Sequence, residues 1–455
     1  MGIFGALTTA VTGMRAQAFA LENISGNIAN SQTTAFKRVD TSFEDLIPDT
    51  SLNQQLAGNV IAQSRTTNTV QGDIQSASVS TFMAINGQGF FVVEKPDNFT
   101  NGTPTFSGTQ LYSRRGDFQV DQNGYLVNGA GYYLMGIPVD PTTGNAAATV
   151  PQTLQFQNGF LPAEPTTTVD YRANLASYPL TTNHDTTVPG SELIKAADFS
   201  TPIATSVVAS DNTTFLNETI TGGAVTAYDT AGTPVNIQMR WGKTDSATLG
   251  AGHTDTWNLF YQTNSAATGA QVQWVNAGTN YTFGANGQLN PAIPTSTISG
   301  VTVDGVALGN IDLVHGTNGI TQFADANGGV QINMLQQNGF PAGQLQSIAI
   351  NDKGRVEGTY SNGRTIDLAE ITLANFSGAN SLQRIDGGAF AATVASGLPS
   401  FNAPGKIIGS SLEGSNTDIA DEFTKLIVTQ QAYSANTRVI TTSNQMVQDL
   451  LNMLR

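Results

Sequence analysis

Cysteine is absent from the 455 residues. That excludes disulfides, thiolate-bound zinc, iron–sulfur clusters and thiol nucleophiles together. Charge is also scarce: Asp, Glu, Lys and Arg make up 12% of the chain, and 19 basic against 34 acidic residues leave a net charge of −15. Neither Lys nor Arg occurs between Lys243 and Lys353. A surface of this kind repels phosphate backbones, so no nucleic-acid partner is expected. No apolar run reaches the roughly 18 residues that a spanning helix requires, and no membrane insertion is expected. The first residues, MGIFGALTTAVTGMRAQ, lack the basic n-region and unbroken apolar h-region of a secretory leader. Ala6 stands where a myristoylation signal carries Ser or Thr.

Catalytic and ligand motifs are missing as well. The three histidines, His184, His253 and His315, lie far apart in sequence in loop-like surroundings, and neither HExxH nor another metal-ligand spacing includes them. Gly87 and Gly89 in NGQGFF have no third glycine at dinucleotide spacing and read as a turn before a strand. The segment DANGG at 325–329 resembles a calcium loop, but Gln336 occupies the twelfth position that needs Glu. The segment DQNGY fails in the same way, with Tyr125 at the fifth position. No enzyme, no metal and no cofactor is therefore expected, and the chain reads as a structural protein.

What is present is helix at both ends and strand between them. Toward the C-terminus, Ile419, Phe423, Leu426, Gln430, Tyr433, Thr437, Ile440, Asn444, Val447, Leu451 and Leu454 follow an alternating 3–4 spacing, a heptad seam. Ser415, Asn416 and Thr417 offer N-caps, and Asp418, Asp421 and Glu422 suit the first turn. Near the N-terminus, Leu7, Ala10, Met14, Gln17, Leu21, Ile24 and Ile28 keep the same rhythm up to Asn30-Ser31-Gln32. The polar residues Gln430, Thr437 and Asn444, with Gln17 opposite, restrict register and partner choice at some cost in stability. Two readings of these ends stay open on the residues alone. They close an ordinary globular protein as a hairpin, or they are completed by neighbouring copies.

The middle is rich in Thr, Ser, Asn and Gly, as in β-rich extracellular proteins. Alternating strands flank Asp121-Gln122-Asn123-Gly124 and again Asn351-Asp352-Lys353-Gly354, with Ser361-Asn362-Gly363 before a further strand. The fold class expected is α+β. The helical termini pair as a coiled-coil-like unit, with mostly β inner and outer domains nested between them. The corresponding boundaries are 1–38 with 406–455 for the helical domain, 39–75 for a connector, 76–150 with 339–405 for an inner β domain, and 151–338 for an outer β-rich domain, with a possible division into two subdomains. Only Arg172, Lys195, Arg240 and Lys243 are basic within that outer insert.

Several motifs converge on one family. NIANSQTTAFKR (27–38) resembles the Asn-x-x-Thr-x-Gly-Phe-Lys signature of bacterial flagellar rod and hook proteins, through Asn30, Thr33, Phe36 and Lys37. The stretch LEGSNTDIADEFTKLIVTQQAYSANTRVITTSNQMVQDLLNM resembles the family's C-terminal helix. AINGQGFFVV and YSRRGDFQVDQNGYLVN are similar to its inner β motifs. Within the insert, TAYDTAGTPVNIQMRW with TWNLFYQ is similar to the outer domain of flagellar hook proteins, which favours hook over distal rod. One departure stands out: Ala35 replaces the signature glycine.

The resemblance implies a subunit of a hollow curved tube, the flexible universal joint that transmits motor torque from rod to filament. It implies self-assembly through the helical seams at Leu7, Met14, Leu21, Ile24, Ile28, Ile419, Phe423, Leu426, Tyr433, Ile440, Val447, Leu451 and Leu454. Implied partners are identical subunits, the distal rod protein, the hook cap protein, the hook–filament junction protein and the flagellar export apparatus. The implied location is outside the cell, reached by the flagellar type III pathway without a cleaved signal peptide. A distal rod subunit is the nearest alternative, and a secreted β-rich adhesin comes from a different class. Proteolysis of the monomer is expected to trim it to roughly 39–412, because isolated helix seams lack their neighbours.

Overall fold

The computed structural model describes residues 3–46, 59–140, 144–156, 160–401 and 403–453. Its chain divides into two compact units, Met1–Gly159 with Leu345–Arg455, and Phe160–Gln344. Secondary structure is mostly β, framed by one long helix at each end.

Helix α1 spans Ile3–Ala29. It is free of proline and carries six alanines, the residue that loses least on entering a helix. It ends where Asn30 turns the chain: the Asn30 side-chain amide returns to Gly26 O at 2.9 Å, and Thr33 N–H donates to Asn30 O at 3.1 Å. The 39–75 segment, expected as a connector, carries regular structure among its described residues. Val39–Leu46 and Asn59–Thr66 pair as a two-stranded antiparallel sheet that lies against α1. Phe43 and Ile61 remain exposed on these two strands, so no buried face generated a periodic signal.

Strands from both sides of the outer excursion join in one sheet. Phe90–Glu94 pairs with Leu111–Ser113, Tyr133–Pro138 and Leu373–Ala374, and Tyr133–Pro138 continues to Thr365–Ile371. In GFFVV both faces are buried. Phe91 and Val93 enter one core with Phe118, Leu134 and Ile371, while Phe90 and Val92 enter a second with Tyr112, Phe376 and Phe390. This explains a continuous apolar run rather than alternation. The two expected turns have the same build: Asp121 Oδ1 accepts from Asn123 N and Tyr125 N, and Asn351 Oδ1 accepts from Lys353 N and Arg355 N. Residues 151–156, expected in the outer insert, pair here instead. Gln152–Thr153 joins Tyr133–Pro138, because Leu154 and Phe156 are core residues of this unit.

The Phe160–Gln344 unit holds two five-stranded sheets. In one, Thr168–Ala176 is central, parallel to Val306–Val314 and Ile320–Phe323 and antiparallel to Val330–Gln337. The other runs Ser206–Val208, Val272–Phe283, Asp255–Gln262, Pro234–Asp245, Ile220–Tyr228. Both sheets fill one core around Tyr171, Trp241, Trp257, Tyr281 and Ile311, so the insert is a single packed body. A short helix α2, Asn212–Glu218, adds Phe215 to a satellite cluster with Phe260 and Trp274. His315, expected in a loop-like setting, is fully buried in the core. Its Nδ1 lies 2.8 Å from Tyr171 O, and its Nε2 lies 3.0 Å from Tyr281 Oη and 3.2 Å from Ser296 Oγ.

Helix α3, Ile419–Met453, closes the chain. Its cap is Asp418, whose Oδ1 accepts from Ala420 N at 2.8 Å and Asp421 N at 3.3 Å. Of the three residues expected to offer caps, Ser415 Oγ accepts from Thr417 N and Asn416 binds other segments, while Thr417 Oγ1 has no hydrogen-bond partner. Leu454 lies outside the described residues.

Candidate self-assembly site at the chain ends

The two signature motifs meet. Lys37, from the first, and Glu413, from the second, form an ion pair of 2.5 Å with both side chains fully buried. Arg114, from the inner β motif, adds Nη1 3.2 Å from Glu413 Oε2. Backbone groups serve most of the remaining polar atoms, Arg114 Nε excepted. Lys37 Nζ donates to Val70 O at 2.7 Å, Gly72 N–H donates to Glu413 Oε1 at 2.9 Å, and Arg114 donates to Ile85 O and Gly87 O. Arg114 also stands 5.4 Å over the Phe90 ring. Burial pushes both the Lys37 ammonium and the Arg114 guanidinium below their usual ranges, with Glu413 opposing the shift. Gly72 is required for this approach, since a Cβ there would stand 2.2 Å from Gly414 O.

A second set of bonds stitches the same strands. Asn416 Oδ1 accepts from Arg38 N at 2.7 Å, its N–H donates to Phe36 O at 3.1 Å, and its amide reaches Thr67 and Val70. Asn27 is buried and pairs with the Val39 backbone in both directions at 2.9 Å, while also donating to Glu422 Oε2 at 3.0 Å. Glu422 stands in the first turn of α3 as expected, is fully buried, and accepts from Lys425 at 2.7 Å. Ala35 adopts φ +57°, its N–H donating to Glu413 O at 2.9 Å. The glycine of the signature therefore marks a left-handed position. Phe36 carries Arg384 4.9 Å above its ring. Asn30 and Thr33 form the turn after α1, with Thr33 exposed.

The helices run antiparallel: Asn27 meets Glu422, and Gly13 meets Asn436 at the same offset. On α3 the contact face is rotated by one residue from the 3–4 seam. On α3 the side chains turned inward are Glu422, Thr429 and Ser443, which are buried, and Asn436, which approaches Gly13. On α1 the buried positions are Ala10, Ala16, Ala20, Ile24 and Asn27. Small residues allow close approach and draw the register toward themselves. Of the seam residues, Ala10 and Ile24 are buried, while Leu7, Met14, Leu21, Ile28, Leu426, Ile440 and Val447 are half-buried. Met14 Sδ accepts from Thr437 Oγ1 at 3.8 Å. Ile419, Phe423, Tyr433 and Leu451 are exposed, as are Ile427, Val428, Met446 and Leu450.

Sequence reasoning missed Glu413, Arg114 and Asn27, and gave Asn416 only as a helix cap. Each stands inside a motif already singled out, in a chain with few charges, but no spacing indicates that they meet. Among the described residues there is no group of three or more His, Asp or Glu able to hold a metal ion, and no helix is long and apolar enough to cross a membrane.

End helices clamped onto a β body, with large apolar side chains left uncovered, define a structural subunit with unfinished packing. Known proteins give that class its family. Residues 84–159 match the family model described as the flagellar hook protein FlgE/F/G D1 domain. Residues 200–340 match the flagellar basal body protein FlaE D2 domain, and 409–453 the flagellar basal body rod FlgEFG protein C-terminal. The flagellar hook protein FlgE of Salmonella typhimurium (strain LT2) is 30% identical over 456 residues, covering 98% of each chain. That of Brucella suis biovar 1 is 29% identical over 462 residues, covering all of both. A crystal structure of Helicobacter pylori flagellar hook protein FlgE2 is similar at TM-score 0.48 and 15% identity, over 74% of this chain and 100% of that one. The chain belongs to the flagellar hook protein family, which is structural and not an enzyme family.

Proposed function

We infer that the chain polymerises as the repeating subunit of the hook, a hollow curved tube that transmits torque between rod and filament. The observation that carries this reading is the set of large apolar side chains left uncovered on α3. Phe423, Ile427, Val428, Met446, Leu450 and Leu451 are 46–62% exposed along one helix. A surface of that kind marks an interaction site. Copies related by one repeated, non-closing contact build a tube of indefinite length.

In this reading the α1–α3 pair is the coiled-coil-like core element. The exposed seam residues Ile419, Phe423, Tyr433 and Leu451 meet neighbouring copies, and the half-buried ones, Leu7, Met14, Leu21, Ile28, Leu426, Ile440 and Val447, set the pair's own register. The motif residues Asn30, Thr33, Phe36 and Lys37 fix the helices to the β body. Rod, cap and junction proteins contact the ends of the polymer, and the subunit leaves the cell through the flagellar type III export apparatus. The buried contacts of Lys37, Glu413 and Asn416 move the expected protease-resistant boundary outward from 39–412 to include residues 35–416.

Electron microscopy of cells labelled with antibody against residues 160–344 tests the assignment. Label on a short curved segment between envelope and filament supports a hook subunit. Label within the envelope replaces it by a rod subunit, and label spread over the cell surface replaces it by an adhesin.

A further inference from the structure

One buried polar cluster in the Phe160–Gln344 unit is left unexplained by packing. Lys243, on strand Pro234–Asp245, is 2% exposed. Its Nζ lies 2.9 Å from Oδ1 of Asp255, at the start of the neighbouring strand, and donates to Ser177 O at 2.9 Å. Glu192 is fully buried and holds Oε1 4.0 Å from the same nitrogen, yet neither of its carboxyl oxygens has a hydrogen-bond partner. A carboxyl group stripped of water and given no donor is costly to keep for structure alone. Asp255 is supplied with donors on both oxygens: Ala247 N–H on Oδ1 at 3.0 Å, and the Gln322 amide on Oδ2 at 3.2 Å. A buried amine touching one carboxyl group, with a second carboxyl group free to carry protons, is the set of groups that amide condensation requires.

We propose that Lys243 and Asp255 join in an intramolecular amide bond, with Glu192 as the proton carrier. The Lys243 ammonium gives a proton to Glu192 and becomes a nucleophilic amine. Nζ attacks Asp255 Cγ, and the oxygens of the tetrahedral intermediate stay bound to Ala247 N–H and the Gln322 amide. Glu192 passes its proton to the departing oxygen, and a second proton follows from the nitrogen. One N–C bond forms, one C–O bond breaks, and one water leaves. The positive charge of Lys243 and the negative charge of Asp255 disappear together, and no oxidant or reductant is consumed. Holding the groups in contact makes the step unimolecular. The product is a covalent tie across two paired strands of a unit that works under mechanical load.

The test is a tryptic map of the purified full-length chain, folded and then denatured. Lys243 is followed by no Lys or Arg until Lys353, so the two outcomes differ in fragment number. With the bond present, trypsin does not cut at Lys243, and Trp241–Lys353 appears as one fragment lighter by one water, with the loss confined to Lys243 and Asp255. Free Trp241–Lys243 together with 244–353 overturns the proposal. Intact mass alone does not decide, because Asp304-Gly305 and Asp386-Gly387 can each lose water as succinimides; those losses leave cleavage at Lys243 untouched. Glu192→Gln keeps size and burial but cannot carry the proton, and is expected to give the two separate fragments. Cross-linked Glu192→Gln protein overturns the role assigned to Glu192.

Discussion

Lys37 and Glu413, 376 positions apart in sequence, meet as a fully buried ion pair at 2.5 Å. Removing two charges from water costs several kcal/mol per ion, so such a pair persists only where geometry and further hydrogen bonds are complete. Here Arg114, the Val70 carbonyl and the Gly72 N–H complete it. The contact forms only when both chain ends and the β body are in register together. It therefore acts as a check on assembly of the fold more than as a source of net stability.

Glu413→Ala leaves Lys37 and Arg114 buried without a counter-charge, and a loss of about 3–5 kcal/mol is expected. Lys37→Met is expected to cost less, because Glu413 keeps Arg114 and the Gly72 N–H. Urea unfolding of the monomer, followed at the unit containing both residues, measures the two. Equal losses, or a loss below about 1 kcal/mol for Glu413→Ala, would mean that the pair behaves as an exposed one.

Ala35 sits at φ +57° and is nearly fully buried. The left-handed conformation costs an L-residue roughly 1–2 kcal/mol. Glycine removes that strain but adds about 0.5–1 kcal/mol of chain entropy to lose on folding. Ala35→Gly is therefore expected to be neutral or to stabilise by up to about 1 kcal/mol. A β-branched Ala35→Val is expected to destabilise by about 2 kcal/mol or more, since bulk near the backbone is least tolerated there. Thermal melting of the two variants decides the matter; a clearly destabilised Ala35→Gly would place the value of Ala35 in its methyl packing instead.

Local patterns of this chain were legible because their causes are local. The 3–4 rhythm placed both end helices, and Asp121 and Asn351 marked turns whose side chains bond to nearby backbone. The hairpin at 39–66 was missed, because its strands bury too little to leave a period. The rotation of the helix seam was missed for a different reason. Apolarity located the large side chains, whereas Gly13, Ala16 and Ala20 decide which faces come closest. The charge cluster was invisible because Lys37, Arg114 and Glu413 converge only through the tertiary fold, and His315 read as loop because it follows a strand end while its ring lies in the core.

Burial holds the His315 imidazole below the usual histidine range, with the Tyr171 carbonyl opposing. The folded state keeps this ring neutral while the unfolded chain takes up a proton near pH 6.5. Below that pH the unfolded state binds more protons, so stability falls as pH drops from about 6.5 toward the folded-state value and is level above it. Glu218 in the same unit is pushed up by burial and works in the opposite direction, since the folded state then protonates first. Calorimetry between about pH 8 and about pH 5 is expected to show the transition of this unit moving down on acidification. In His315→Gln that transition starts lower and shifts less. An unchanged shift in the variant would assign the acid sensitivity to other groups.

The uncovered apolar side chains of α3 make the strongest demand on the assembly reading. Ile427 and Leu451 are 54% and 62% exposed in the subunit, so Ile427→Asp and Leu451→Asp are expected to change monomer stability by no more than about 0.5 kcal/mol. In a polymer that buries these side chains, each copy would bury an unpaired carboxylate, at a cost of several kcal/mol per contact. The contact repeats in every subunit, so the penalty recurs along the whole tube and hooks fail to form. The measurement pairs monomer melting curves with electron microscopy of cells producing each variant, and with assay of the culture medium for exported subunit. Normal melting, exported protein and absent hooks together place these side chains between subunits. Normal hooks carrying both aspartates would remove these exposed side chains from the contact, and with them the observation on which the proposed function rests.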